Sequence, residues 1–149
     1  MFFPDLSEYD YYSKRPFRGV KTVGWIDNAH PFQTGVIPHD VLEKLKTVML
    51  GNEKINIHVN AIRGVHPCNL CGESDFYDSD LRIGSTEIWI SDGENGFYAA
   101  PSMIIHYITD HQYLPPEEFL DALREFDLFC EFNAQAEYEK LAAEVMSAE

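Results

Sequence analysis

The sequence has no long hydrophobic run. No stretch reaches the roughly 18 apolar residues that a membrane-spanning helix needs, so we expect no membrane segment. The first residues, MFFPDLSEYDYYSKRPF, lack the basic region and the apolar region of a secretory signal peptide. The 149 residues include 45% hydrophobic and 13% aromatic side chains, a composition typical of one globular domain. We therefore predict a cytoplasmic protein with a single domain over residues 1–149.

Positive charge is also scarce. The 11 Lys and Arg residues stand against 25 Asp and Glu residues, which gives a formal net charge of −14. This charge repels the phosphates of nucleic acids, and the only small basic cluster is Lys14, Arg15, Arg18 and Lys21, so we predict no nucleic-acid partner. The acidity has two interpretations: it keeps the protein soluble, or it attracts a basic partner protein.

Cysteine is rare, with three residues, which are too few for a disulfide framework. Cys68 and Cys71 have C-x2-C spacing, which in an intracellular chain is typical of metal binding or redox chemistry. The third, Cys130, lies among phenylalanines and is predicted to be a small core residue.

Several catalytic motifs are missing. The sequence has no serine nucleophile elbow, Walker loop, dinucleotide fingerprint, HExxH motif or deaminase HxE…PCxxC motif. Asp27 and His30 have a spacing that permits acid–base chemistry, but their segment GWIDNAHPFQTG is more typical of a turn-rich loop. SDGENG at 91–96 lacks the ligand pattern of a calcium loop. We therefore assign no catalytic residue.

The apolar pattern predicts an α+β fold. Residues 1–19 are expected to be irregular, with aromatic side chains that pack along the domain. Strands are predicted at 20–26, at 55–62 and at 81–90, the last as one strand or two short ones. The turn SDGENG and a return strand at 97–100 then complete a β-hairpin.

Helical spacing of apolar residues predicts the remaining elements. Helices are expected at 38–50, with Gly51 as its stop, and at 100–111, each with proline in the first turn. A further helix is expected from 116, with an apolar stripe that continues through Leu128, Phe129 and Phe132. The tail 137–149 is a good helix former, and the acidic segment 73–80 is expected to be a loop.

The segment GVHPCNLCG, residues 64–72, predicts half of a zinc site. C-x2-C places two thiolates on one tight turn, and Gly72 suits the sharp turn after Cys71. His106 and His111 in HYITDH provide a second ligand pair. On an ideal helix these two residues lie about 140° apart, so the site requires the helix to end or tighten near His111. His66 is the main competitor for the fourth ligand, and His58 is a weaker one.

Three alternatives to a closed zinc site stay open. The first is that Cys68 and Cys71 form a redox pair. Such a pair normally lies at the beginning of a helix, whereas a hairpin is predicted to follow these cysteines. The cysteines and histidines can also be ordinary structural residues. If His111 is not a ligand, the zinc keeps an open position, and Glu73, Glu87 or Asp110 becomes a candidate base.

The order of the predicted elements, a knuckle, a hairpin and a helix over residues 66–111, resembles a treble-clef zinc site. The typical treble clef has its second ligand pair at closer spacing in the first helical turn, so this chain departs from that pattern. We expect a zinc-binding core at 64–111 with a structural zinc held by Cys68, Cys71, His106 and His111.

Three blocks together, WIDNAHPFQTG, RGVHPCNLCG and residues 84–123, resemble a family of small bacterial proteins of unknown function. The family pattern is GxHxCxxC, then GSxEIxV, then YxAPxLIxHYxxxHxYxPPxEF, and the resemblance covers roughly residues 24–123. It implies that His66, Cys68, Cys71, His106 and His111 belong to one pattern, but it implies no activity.

We therefore predict a zinc-stabilised binding protein, immunity-like or regulatory, that engages a basic protein partner through its acidic surface. The alternative is a small zinc metallohydrolase with an open coordination position.

Overall fold

The computed structural model describes residues 2–10, 15–73, 77–78 and 81–147, and in this part of the chain strands and helices are mixed. The elements in chain order are β1 (Glu8–Tyr9), β2 (Phe17–Thr22), α1 (His39–Leu50), β3 (Ile55–Asn56), β4 (His58–Val59), β5 (Tyr77–Asp78), β6 (Leu81–Arg82), β7 (Glu87–Ser91), β8 (Phe97–Pro101), α2 (Ile104–His111), α3 (Glu117–Glu125), β9 (Phe132–Asn133) and α4 (Ala134–Ser147).

A five-stranded sheet in the order β1-β2-β8-β7-β4 forms the centre of the fold. Strands β2 and β8 run parallel, whereas the other neighbouring pairs are antiparallel. β7 and β8 are the predicted hairpin, in which Glu87 pairs with Pro101 and Ser91 pairs with Phe97. Two-stranded sheets pair β3 with β9 and β5 with β6.

The sheet separates two hydrophobic clusters. Successive residues of a strand point to opposite faces, so Ile88 and Ile90 of β7 join one cluster and Trp89 joins the other. The larger cluster collects the buried faces of α1, α2 and α3. The smaller cluster packs under α4, through side chains that include Tyr138 and Leu141. The described residues thus form an α+β fold with helices on both faces of the sheet.

Several predicted elements are confirmed. α1 buries Val41, Leu45, Val48 and Met49, as the helical spacing predicts. Gly51 ends it in the left-handed region, with φ 67°, and its amide donates to the carbonyl of Thr47. The predicted strand at 81–90 is observed as two short strands, β6 and β7. No helix of the described residues is long and apolar enough to cross a membrane.

The ends of other elements differ from the prediction. β2 begins at Phe17, inside the segment predicted to be irregular, because Phe17 pairs with Tyr9 of β1. The strand predicted at 55–62 divides into β3 and β4 and ends before Asn60, which has a positive φ of 55°. Pro101 does not lie in a first helical turn: it pairs with Glu87 in the sheet, so α2 begins only at Ile104.

The prediction that the apolar stripe continues through Leu128 and Phe129 is wrong, since both residues are exposed. The chain leaves α3 and turns, since the Asp127 carboxylate accepts a hydrogen bond from the amide of Phe129. This turn leaves the Phe129 side chain 91% exposed, and Cys130 is exposed rather than a small core residue. The packed residues on either side of it are Phe126 and Phe132, whose ring centroids lie 5.7 Å apart.

The described residues do not include part of the predicted 73–80 loop, two of the aromatic residues expected to pack along the domain, Tyr11 and Tyr12, and the end of the tail. Within the predicted loop, Tyr77 and Asp78 form β5, which pairs with β6. The helix predicted at 137–149 begins earlier, at Ala134, because α4 packs on the sheet through that residue.

Candidate metal centre

The segment that contains Cys68 and Cys71 folds as a tight knuckle. The amides of Leu70 and Cys71 point at Cys68 Sγ, at 3.3 Å and 3.4 Å, and the amide of Gly72 donates to the carbonyl of Cys68 at 2.9 Å. Gly72 has a positive φ of 74°, which only glycine adopts at little cost, as the sequence predicts. Amides aimed at a sulfur stabilise negative charge on it, so the turn favours a thiolate at Cys68.

Helix α2 ends where the second ligand pair requires it. His111 is its last residue, and Gln112 follows in the left-handed region, with φ 57° and ψ 29°. The rings of His106 and His111 lie 5.0 Å apart between centroids. The side chains therefore bring together two imidazoles that an ideal helix would place about 140° apart.

Cys68, Cys71, His106 and His111 form one cluster, in which one ligand atom from each lies within 4.8 Å of the others. Cys68 Sγ is 3.5 Å from His111 Nε2, and Cys71 Sγ is 3.6 Å from His106 Nε2. Zinc bonds of about 2.3 Å to sulfur and 2.0–2.1 Å to nitrogen place these atoms about 3.6 Å apart in a tetrahedron. The two sulfur–nitrogen distances thus suit a tetrahedral metal ion.

Asp110 adds a carboxylate behind the cluster. Its Oδ2 lies 3.3 Å from His106 Nδ1, while Nε2 of the same ring faces Cys71. Metal-binding histidines commonly have a carboxylate at the second nitrogen, which fixes the orientation of the ring. From the sequence, Asp110 is predicted only as a candidate base. The four-residue spacing from His106, which places both side chains on one helix face, is the signal that predicts this contact.

Burial affects the protonation of the cluster. It lowers the pKa of His106, although the charge of Asp110 opposes this effect, so burial favours the neutral form of the ring, which is the form that binds metals. Burial also raises the pKa of the Cys68 thiol, against the effect of the two amides that point at its sulfur. A bound cation would offset the cost of burying a thiolate at this position.

The competing histidines lie outside this cluster. His66 is exposed, and its backbone amide donates to the carbonyl of Gly84. Both ring nitrogens of His58 have other partners, Thr86 Oγ1 at 2.7 Å and the carbonyl of Met49 at 2.6 Å. The thiol of Cys130, the third cysteine, donates a hydrogen bond to Asp127 Oδ2 instead.

Asp27 and His30 form a turn. One oxygen of Asp27 accepts hydrogen bonds from the amides of Ala29 and His30 and lies 2.8 Å from His30 Nδ1. The contact with the His30 side chain is the main reason that the pKa of Asp27 is lowered. This arrangement matches the turn-rich loop that the sequence predicts.

Asp110→Asn is expected to weaken metal binding about 10- to 100-fold, because the variant loses the charge that orients the His106 ring. Competition with a chromophoric chelator measures this affinity. Asp10→Asn, an equal charge change at an exposed residue in another part of the fold, is the matched control and should bind metal as the wild type does. Equal affinities of the two variants would show that Asp110 has no positioning role.

Comparison with known proteins gives a family and no further relative. No curated protein and no solved structure is significantly similar to the chain. One family model matches residues 1–124, a range that contains the whole cluster and the segment 24–123 that carries the resemblance. β9 and α4 lie beyond the match. The chain therefore belongs to an uncharacterised family, the domain of unknown function DUF7919.

Proposed function

We propose that Cys68, Cys71, His106 and His111 hold one structural zinc ion, and that the protein is a zinc-stabilised binding protein. The observation that carries the proposal is the convergence of two thiols and two imidazoles from segments 35 to 43 residues apart in sequence. Two cysteines and two histidines are a common ligand set of structural zinc. A reducing cytoplasm would keep both thiols available for the metal.

A structural role is favoured over a catalytic one. Four protein ligands fill a tetrahedron, whereas a catalytic zinc usually has three protein ligands and a water molecule. The exposed position of His66 outside the cluster gives no reason to replace His111 as fourth ligand. On these grounds the metallohydrolase is the weaker candidate.

The elements around the cluster support a treble-clef-like arrangement. The knuckle at Cys68–Cys71 comes first, the hairpin of β7 and β8 follows, and α2 provides the second ligand pair. His106 lies in the first turn of α2, whereas His111 is its last residue, so the spacing of this pair remains unusual for a treble clef.

Cobalt substitution tests the proposal. The metal-free, reduced protein is titrated with Co2+, whose visible spectrum reports both coordination number and thiolate ligation. We expect one equivalent with the intense bands of a tetrahedral site and thiolate-to-metal charge transfer. A weaker five-coordinate spectrum with an exchangeable water would support the metallohydrolase instead. A protein that binds neither Co2+ nor Zn2+ would contradict both functions.

We further propose that the acidic surface, with a formal net charge of −14, engages a basic protein. Attraction between exposed charges is screened beyond about 10 Å at 0.1 M salt, so binding should weaken steeply as salt rises. A pull-down at low salt, followed by stepwise salt elution and identification of the released proteins, is the measurement. We expect the proteins released at the first salt steps to be basic. If all bound proteins stay bound at high salt, the result would contradict an electrostatic complex.

A further inference from the structure

A pocket of about 230 Å³ lies beside the metal centre. It opens between the residues after β4, the start of β7 and the start of α2. Trp25, Ile62, Met103 and Tyr107 contribute apolar and aromatic side chains to its walls. Ile62 is 41% exposed and thus presents an apolar group near the solvent.

Glu87 also lines this pocket. Its side chain is only 5% exposed, and three neutral donors point at it: Tyr9 Oη at 2.8 Å and Trp89 Nε1 at 3.3 Å on Oε1, and Asn60 Nδ2 at 3.4 Å on Oε2. Within the described ranges, no lysine, arginine or histidine forms an ion pair with Glu87. The carboxylate is therefore buried without a cationic partner from these residues.

Burying a charge without a cation is costly, and a bound ligand can provide the missing one. Burial raises the pKa of Glu87, although the hydrogen bonds from Tyr9, Trp89 and Asn60 oppose this effect. Groups with a perturbed pKa cluster at functional sites, which marks Glu87 and the pocket that it lines for a binding role.

We propose that this pocket binds a small organic cation, an alkylammonium or alkylguanidinium group that pairs with Glu87. The inference deepens the binding function proposed above, and it rests on that function only where the cation is a side chain of the basic partner. Trp25 and Tyr107 favour the same ligand class, since aromatic side chains bind organic cations through their ring faces.

A cation is favoured over an anion at this position. Ser102 and Met103, at the start of α2, also line the pocket, and a helix N-terminus carries roughly half a positive charge. However, the amide of Ser102 already donates to the carbonyl of Thr86 at 3.0 Å. The full charge of Glu87 and the net charge of the protein both oppose an anion.

The size of the pocket limits the ligand to a single small group. A volume of about 230 Å³ lies below the roughly 300–1,000 Å³ of pockets for drug-sized ligands. One cationic head with a short apolar stem fits this description, either as a free small molecule or as a lysine or arginine side chain.

Titration of the full-length, metal-loaded protein tests the inference. The readout is the NMR chemical shift of the indole N–H groups of Trp25 and Trp89. The free cations are butylammonium and ethylguanidinium; the peptide probes are acetyl-Gly-Arg-Gly-amide and its neutral citrulline analogue. We expect the cations to bind and the citrulline peptide to bind at least tenfold more weakly than the arginine peptide. Preference for free cations identifies a small-molecule ligand, and preference for the arginine peptide identifies a partner side chain.

Variants assign the binding to Glu87. Glu87→Gln is expected to weaken cation binding at least tenfold, whereas Glu139→Gln, an equal charge change at an exposed residue of α4, should not. If Glu87→Gln fails to fold, Ile62→Arg provides the second variant: it places a cation at the exposed rim and should block the probes. Lack of cation binding by the wild type, equal binding by Glu87→Gln, or preferential binding of acetate would overturn the inference.

Metal content measured on the same samples separates this inference from the zinc proposal. A protein that binds cations but no metal would contradict the zinc site alone. A protein that binds zinc but none of the cations would contradict the pocket alone.

Discussion

Cys68→Ser is expected to release the metal and to lower the free energy of unfolding by roughly 3 kcal/mol or more. Structural zinc sites are worth roughly 10–16 kcal/mol of apparent binding energy, and this variant removes one of the four proposed ligands. The effect reaches the core because Cys68 is 2% exposed and belongs to the larger hydrophobic cluster. Urea unfolding and metal analysis of the purified variant are the measurements.

Cys130→Ser is the matched control for Cys68→Ser. Cys130 is exposed, and its thiol donates to Asp127 Oδ2 on the surface, so this substitution should change the stability by less than about 0.5 kcal/mol. Its metal content should equal that of the wild type. A Cys68→Ser protein that keeps a full equivalent of metal and an unchanged unfolding midpoint would exclude Cys68 as a ligand.

Trp89→Ala is expected to lower the free energy of unfolding by about 3–5 kcal/mol, the usual range for loss of a buried aromatic side chain. Trp89 is fully buried between the sheet and α4, with ring centroids 5.3 Å from Tyr9, 5.7 Å from Phe97 and 5.6 Å from Tyr138. Its indole also donates to Glu87, which would lose that hydrogen bond. Urea unfolding measures the change.

Phe129→Ala is the control for the loss of an aromatic side chain in general. Because Phe129 is 91% exposed, this substitution should lower the free energy of unfolding by less than about 0.5 kcal/mol. Limited proteolysis adds a second readout, because Tyr138 belongs to α4 and loss of Trp89 should make that helix easier to cleave. A Trp89→Ala protein within about 1 kcal/mol of the wild type would show that the smaller cluster does not hold α4 in place.

Helix α1 and the hairpin could be predicted because their signals are local. The spacing of Val41, Leu45 and Val48 identifies one helix face, and the turn between Ser91 and Phe97 connects adjacent strands. The parallel pairing of β2 with β8 could not be predicted in the same way. It joins Val20 to Phe97, which are far apart in sequence, and no short pattern reports such a contact.

The convergence of the four candidate metal ligands could be predicted in part. Two pairs of candidate ligands with suitable spacing predict that Cys68, Cys71, His106 and His111 approach one another, and the structure places them together. Which sulfur faces which imidazole depends on side-chain torsions that the sequence does not report.

Cys130 shows the opposite error. Neighbouring phenylalanines predict a buried cysteine, but the Asp127 turn directs this segment into solvent. A hydrophobic neighbourhood in sequence is therefore weak evidence of burial where a side chain such as aspartate can hydrogen-bond the backbone and begin a turn.

The most direct test of the account is X-ray absorption at the zinc edge, measured on the full-length protein purified under reducing conditions from zinc-supplemented cells. We expect one zinc per chain with two sulfur atoms at about 2.3 Å and two nitrogen atoms at about 2.0–2.1 Å. A protein without zinc, or a zinc shell of oxygen atoms without sulfur, would contradict the proposal that Cys68, Cys71, His106 and His111 hold the metal.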